Sequence, residues 1–469
     1  MRIQDIQKLY AMLPQAGAIL KIQEDKSVKT VFLQGLVASA APMFFASIAE
    51  RWKTTTVFVL NDNDEAGYFY NDLKTIAMPA DGEGKVAEVL FFPSSYRRAV
   101  KYGQRDAGNE ILRTEVLTRL SALTSGADNA LPLYIVTEPS ALSELVVSKK
   151  QLDERRLTLT VDQHIDIVEV EKTLRSFGFT ETDYVYEPGQ FAVRGSIIDV
   201  YSFSNELPFR IDFFGDDIET IRSFEVETQL STEKLTRVEI VPELTTMSEE
   251  KVPFLQFLPK DAVLAFKDFL YVRDAIDNIY QEGFTNQALT EKLEGKTELE
   301  QRELEVAFRK EGQLVPASRW MNDALDFRRI EFGINHSCSD LAKKKDGSRA
   351  TINFSTSPQP LFHKNFDLLS KTLRDYLLQG YKLYIFADSE KQTVRLRDIF
   401  DSLSDTNVSA KSENLSVAEL SGEGGEATVG ALPFTPVNRT LHEGFVDSTL
   451  KVCFFTDHQI FDRFHKYNL

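Results

Sequence analysis

Residues 35–42 read Gly-Leu-Val-Ala-Ser-Ala-Ala-Pro and fall in register with GxxxxGK[ST], the pattern that wraps backbone N–H groups around phosphates. Gly35 opens the pattern, but Ala40, Ala41 and Pro42 stand where the second glycine, the lysine and the magnesium-binding hydroxyl belong. Without the lysine no ammonium reaches the β- and γ-phosphates, and Pro42 lacks the N–H that a helix start offers an anion. The loop is therefore not expected to bind ATP, and on spacing alone it matches an ordinary strand-to-helix connection equally well. Two further nucleotide-like fragments fail on inspection. Gly82-Glu83-Gly84-Lys85 has Pro79 in place of the first glycine and Val86 after the lysine, which leaves a polar loop. Val57 to Asp62 mimics a magnesium-binding strand, but Asn61 to Asp64 have the composition of a strand exit and a helix N-cap. The glycines of Ser421 to Glu426 come without a cation and predict a flexible loop.

Metal and redox chemistry find no better support. His164, His336, His363, His442, His458 and His465 show no HExxH or histidine-plus-cysteine grouping, and Cys338 and Cys453 lack CxxC spacing. Neither a metal site nor a disulfide framework is expected, and a reducing compartment fits this cysteine usage. Arg97, Arg98, Lys101 and Arg105, with Tyr96 and Tyr102 among them, form the best patch for single-stranded nucleic acid, where charge and ring stacking act together. Yet 54 basic against 71 acidic residues give a net charge of −17, which repels phosphate polymers. The cluster is expected to be a solvated face, and Lys343-Lys344-Lys345 before Asp346-Gly347 a basic turn.

A different chemistry lies between Tyr186 and Phe224. Phe209, Ile211 and Phe213 alternate with Arg210, Asp212 and Phe214, so one strand face is apolar and the other presents a guanidinium and a ring. Gly215-Asp216-Asp217 has turn chemistry and leads into Ile218, Thr220, Arg222 and Phe224, which predicts a hairpin. Upstream, Arg194 to Val200 is expected to form another strand with a bulge or close approach at Gly195. Arginine and aromatic side chains are typical anchors of protein interfaces, although solvated charges on a half-buried sheet fit the alternation as well.

This stretch closely resembles the second domain of the bacterial transcription-repair coupling factor (Mfd) family, in the module that family shares with the excision-repair protein UvrB. The matching residues are Gly189, Arg194-Gly195, Ile198-Asp199, Glu206-Leu207-Pro208, Arg210, Asp212-Phe213-Phe214, Asp217 and Phe224. The resemblance implies that this domain docks UvrA, with Arg194, Arg210 and Phe214 at the interface positions. It also implies that Gly35, Ala40, Ala41 and Pro42 are a degenerate phosphate loop, as in the family's first domain. No catalytic residue is carried over, so no activity and no cofactor are expected of these residues. ATP and magnesium would serve motor domains absent here, and RNA polymerase and double-stranded DNA would be contacted through other absent parts. The family resemblance further implies a monomer in the bacterial cytoplasm, and Thr456 to Leu469 match a motif that leads toward a polymerase-binding domain. The competing expectation is a nucleotide-dependent, UvrB-like DNA-damage binder. Against it, no tyrosine-rich hairpin emerges near the Arg97 cluster.

The elements that must carry these residues follow from periodicity. Length alone predicts three or four domains. Up to residue 147 an opening amphipathic helix is followed by Val31–Leu33, a helix from Pro42, Val57–Leu60, a helix over Glu65–Ile76, Val89–Phe92, a helix over Asn109–Leu123 and Leu133–Val136, an α/β alternation. The uncharged run Thr30–Ala49 belongs to that strand, loop and buried helix and not to a membrane span, since Gln34 and Pro42 interrupt it. The N-terminus lacks the continuous apolar core of a signal peptide. Residues 148–242 are strand-rich α+β with a helix over Val168–Phe177. Residues 243–365 return to helix, including one solvated helix over Glu291–Phe308, with strands at Arg328–Phe332 and Thr351–Phe354. The resemblance implies that this part completes the first sheet, giving a split UvrB-like α/β domain interrupted by the docking domain. Residues 366–469 form a small α/β domain with a helix from Phe366 ended by Gly380, a strand Lys382–Phe386 and a helix over Lys391–Leu403.

Overall fold

Asp62 closes one strand and opens the next helix: its carboxylate accepts the Glu65 backbone N–H at 2.9 Å, and helix Asn63–Ala77 follows. Asp106, Asp268 and Asn365 cap Ala107–Ser121, Phe269–Glu282 and Phe366–Leu378 in the same way, each cap contributing about 1 kcal/mol. These starts belong to a computed structural model that describes residues 1–123, 131–246, 250–284, 286–307, 309, 312–335, 348–408 and 433–467. His336, Cys338, Lys343 to Gly347 and the glycines of Ser421 to Glu426 lie outside the described residues.

The central sheet has seven parallel strands in the order Ser348–Asn353, Val28–Gln34, Arg328–Gly333, Val263–Phe266, Thr56–Val59, Leu133–Thr137 and Glu88–Phe92. Strands from before and after the strand-rich segment are interleaved, so the two parts form one split α/β unit. Both faces are covered, which is why its strands are nearly continuous apolar runs. Phe58, Phe91 and Tyr134 point into one core with Phe45 and Phe332, and Val57, Val59, Ile135 and Phe266 into the other. Among the described residues, no helix is long and apolar enough to cross a membrane. Thr30–Ala49 runs through strand Val28–Gln34, the loop and helix Ala40–Trp52.

Several local expectations are corrected. Helix Ala40–Trp52 starts two residues before Pro42, which sits in the first turn, where a backbone N–H would have no helical partner. The opening helix is two helices, Ile3–Ala11 and Pro14–Glu24, because Pro14 takes the first position of the second. The charged stretch from Glu291 is likewise divided into Asn286–Leu293 and Glu298–Ala307, parted where Gly295 adopts φ +76°.

The inserted domain is a six-stranded sheet packed on helix Ile167–Ser176, with Val170 and Leu174 against Phe191, Ile198, Ile211 and Ile221. Strands Phe209–Phe214 and Asp217–Phe224 form the expected hairpin around Gly215-Asp216, with Gly215 at φ +61°. A register shift between Asp212/Thr220 and Phe213/Ile218 makes Glu219 the extra residue. Strict alternation along Ile218, Thr220, Arg222 and Phe224 is thereby broken, and Ile218 and Ile221 share the core face. Gly195 is not a bulge either. With Ser196 it makes the two-residue turn between Gln190–Arg194 and Ile197–Val200, and its φ of +59° supplies the required left-handed residue.

The last unit is a five-stranded sheet in the order Thr356–Pro358, Phe445–Asp447, Val452–Thr456, Lys382–Phe386 and Thr435–Val437. Thr356–Pro358 already pairs with Phe445–Asp447, so the chain enters this sheet ahead of residue 366. Phe386, Leu441, Phe445 and Phe454 join the core that holds Tyr10 and Phe44, and the Tyr10 hydroxyl donates to Asp447 Oδ2 at 2.7 Å in the interior.

Candidate protein-docking face and the former phosphate loop

Arg210, Asp199 and Ala192 are cross-strand neighbours, Arg210↔Asp199 and Asp199↔Ala192, and therefore share the face of the inserted sheet opposite its helix-packed core. That face carries a thin apolar cover of Val185, Ala192, Tyr201 and Phe224. At its centre the Asp199 side chain is 1% exposed and is held by two arginines. Arg210 donates from Nε to Oδ1 at 2.8 Å and from Nη2 to Oδ2 at 3.0 Å, and from Nη1 to the Gln229 carbonyl at 3.0 Å. Its guanidinium also lies 4.3 Å from the Phe224 ring centroid. Arg194 donates to Asp199 from the other side and lies 5.2 Å from the Tyr184 ring centroid.

The three residues singled out from the sequence are thus in different states. Phe214 is 76% exposed at the hairpin end. Arg194 keeps 38% of its side chain exposed, whereas Arg210 keeps 14% and has its donors committed inside the domain. Alternation along a strand gives the face but not the depth, and Asp199 with the Gln229 carbonyl supplies the depth. The hairpin end is held in place: Ile165 N–H donates to Asp216 O at 2.8 Å, Phe213 N–H to Ser196 O at 2.9 Å, and His164 Nδ1 lies 2.9 Å from Asp217 Oδ1. A ring presented on such a support loses little freedom when a partner covers it.

The phosphate-loop positions fold as strand, loop and helix at the carboxyl end of the central sheet, where nucleotide sites lie in open α/β folds. Gly35 adopts φ +80° and Ala38 φ +52°. Beside them is a cavity of about 580 Å³ lined in part by Leu36, Pro42, Phe69 and Phe332, with Asp62, Asp64, Asp72, Glu65, Asp268 and Glu443 among its walls. Lys267 is the cavity's lysine, and it is paired with Glu65 at 2.6 Å. Asp62 and Asp268 are helix caps, and the negative charge of this wall opposes a polyphosphate. Burial pushes the Asp72 carboxyl up to about 7, against hydrogen bonds from Ser39 and His442 that pull it down.

Two members of the basic cluster pair with carboxylates of the same region. Arg105 pairs with Glu110 at 3.1 Å over the ring of Tyr96, which is itself in a small core, and Arg97 lies 3.5 Å from Asp106. The C-terminal histidines form a stack that sequence spacing did not reveal. His442 lies on Tyr68 with centroids 3.5 Å apart, and His458 on His465 with centroids 4.4 Å apart. Burial and the neighbouring His465 and His458 push His442 down to about 4. Among the described residues no group of three or more metal-ligating side chains is present. Cys453 is buried, and burial pushes its thiol up to about 12.

Residues 157–245 match the family model of the UvrB interaction domain. The fold and this module define a UvrB-like split α/β scaffold carrying an interaction domain. Over much of its length the chain is similar to the N-terminal portion of the transcription-repair-coupling factors. The factor of Borreliella burgdorferi is 26% identical over 291 residues, 58% of this chain and 26% of its own length. That of Bacillus subtilis is 25% identical over 244 residues, 52% of this chain and 20% of its own length. That of Staphylococcus aureus is 22% identical over 412 residues, covering 77% of this chain and 34% of its own length. The chain therefore spans about a third or less of the curated relatives it matches.

Proposed function

We propose that the chain is the recruiting portion of a transcription-repair-coupling factor, non-catalytic itself, that docks the excision-repair protein UvrA and so brings it to lesion-stalled RNA polymerase. The observation that carries this reading is the exposed Phe214 ring on a braced hairpin, at the end of the strand whose Arg210 clasps, with Arg194, the buried Asp199. Phe214 is the apolar anchor and Arg194 the outward charge, while Arg210 positions Asp199 and through it Arg194. RNA polymerase and double-stranded DNA would be engaged by other parts of such a factor.

Titration calorimetry with UvrA tests the reading. Phe214→Ala is expected to weaken binding about 30-fold, since truncating an interface anchor costs about 2 kcal/mol, with the unfolding temperature unchanged. A Glu50→Ala control on helix Ala40–Trp52 should bind as the unaltered chain does. Equal affinity of Phe214→Ala and the unaltered chain would exclude this face.

The same reading has the former phosphate loop idle. Titration with magnesium-ATP is expected to give no saturable heat, and a saturable signal would instead favour the nucleotide-dependent alternative.

A further inference from the structure

Helix Ala40–Trp52 begins where a nucleotide's phosphates would lie, and the Gly35, Val37 and Ser39 backbone donors of its approach already have partners. Gly35 N–H donates to Gly333 O at 2.7 Å, and Val37 N–H to Thr356 Oγ1 at 3.3 Å. Ser39 N–H donates to the Glu443 carbonyl at 3.2 Å. A carbonyl oxygen from the C-terminal unit thus takes a donor that a phosphate oxygen would otherwise attract. The contact is reciprocal, because Glu443 N–H donates to Ser39 Oγ at 2.9 Å.

Behind this pair stands Asp72, fully buried on helix Asn63–Ala77. It accepts from Ser39 Oγ at 2.6 Å and from His442 N–H at 2.9 Å. Burying a carboxylate costs several kcal/mol unless hydrogen bonds replace its water. Here both described partners serve the same junction, one in the old loop and one in the incoming segment. The incoming segment is held from its other side as well. Gly444 N–H donates to Gln459 Oε1 at 2.6 Å, Gln359 N–H donates to Gly444 O at 2.9 Å, and Thr440 N–H donates to Asp388 Oδ1 at 2.9 Å. A Cβ at Gly444 would lie 2.0 Å from Gln359 Oε1 and 2.7 Å from the Phe454 carbonyl, so this position accepts only glycine without a shift. On helix Asn63–Ala77, a Cβ at Gly67 would lie 2.0 Å from the Tyr467 hydroxyl, and Tyr68 donates its hydroxyl to His465 O at 2.6 Å. Both sides of the junction are shaped for each other.

We propose that the Gly35–Pro42 loop is a socket for the Thr440–Gly444 backbone, so that the former phosphate site holds the C-terminal α/β unit in place and makes the two α/β units open as one body. The loop would have lost its lysine and hydroxyl and gained an intramolecular occupant, with Ser39 and Asp72 reading the occupant's N–H groups. Apolar packing between the units does not by itself specify which loop meets which. The three hydrogen bonds that join Ser39 and Asp72 to His442 and Glu443 do, because the buried Ser39 and Asp72 would lose these partners in any other register.

Native-state hydrogen exchange on the whole chain tests this. In the unaltered chain, amides of Lys382–Phe386 and Val452–Thr456 are expected to open together with those of the central sheet as denaturant is added. Ser39→Ala should speed exchange at His442 and Glu443 about tenfold or more, the effect of stranding a buried donor, and should split the opening of the two sheets. Exchange in Phe209–Phe214 and UvrA affinity should stay as they were, which separates this inference from the docking reading. Unchanged exchange at residues 442–444, or sheets that already open separately in the unaltered chain, would overturn it. If Ser39→Ala does not fold, Asp72→Asn keeps the volume and removes one acceptor. Faster exchange at His442 would then support the socket, and equal protection would overturn it.

Discussion

Asp199→Ala is expected to destabilise the inserted domain by about 3 kcal/mol or more, the cost of leaving a buried charge without its partner. Among the described residues Asp199 is the carboxylate paired with Arg210, and Arg210, stacked on Phe224, cannot reach water without uncovering that ring. Arg194 is more exposed and can turn to solvent, so most of the loss should come from Arg210. Hydrogen exchange locates the effect: amides of Ile198, Ile211 and Ile221 should lose protection while those of the central sheet keep theirs. Protection lost evenly along the chain, or not at all, would contradict the assignment. Under the proposed docking function, UvrA affinity should fall as well, because Arg194 loses the carboxylate that orients it. Asp199→Asn keeps shape and one acceptor, and its effect should be smaller.

Gly35→Ala is expected to cost about 2–4 kcal/mol, combining a left-handed backbone penalty of about 1–2 kcal/mol with a backbone clash. Gly35 has φ +80°, and a Cβ there would lie 2.7 Å from the carbonyl oxygen of Phe354. Phe354 follows strand Ser348–Asn353, and its N–H donates to Gln34 O at 2.8 Å, so the neighbour cannot withdraw without breaking the sheet edge. Gly82→Ala isolates the two contributions: Gly82 has φ +75° but nothing within 4 Å of a built Cβ, and it should lose only the backbone part, about 1–2 kcal/mol. Urea unfolding followed by Trp52 and Trp320, both buried in the central unit, measures both variants. Equal losses would show that the Phe354 contact is irrelevant. The glycine that survives from the phosphate pattern is then held by its neighbour in the sheet and not by a ligand.

The two variants mark where local reading succeeds and where it stops. That Gly35–Pro42 lacks the lysine and hydroxyl of a phosphate loop was legible, because those groups are present or absent residue by residue. The ligand-like partner of that loop was not legible, since Glu443 lies some 400 residues away in the chain, |i−j| = 404 from Ser39. The hairpin at Gly215 was legible from turn chemistry, but the extra residue Glu219 was not, as a bulge is set by what both strands must pack against. Gly195 illustrates the same limit. The glycine signalled a bulge or a close approach, whereas the turn that it makes depends on Gln190–Arg194 pairing back on Ile197–Val200.

By itself the amino-acid sequence determined the alternation that exposes Phe214, the helix cap within Asn61–Asp64, and the replacement of glycine, lysine and hydroxyl by Ala40, Ala41 and Pro42. Each of these depends on side chains within a few residues of one another, where strand and helix periods act directly. Tertiary structure alone decided that Arg210 is turned inward onto Asp199, that the central sheet interleaves two distant parts of the chain, and that Ser39 and Asp72 receive the Thr440–Gly444 loop. Those outcomes are pairings between residues of different elements, and only the assembled core settles which partner each one meets.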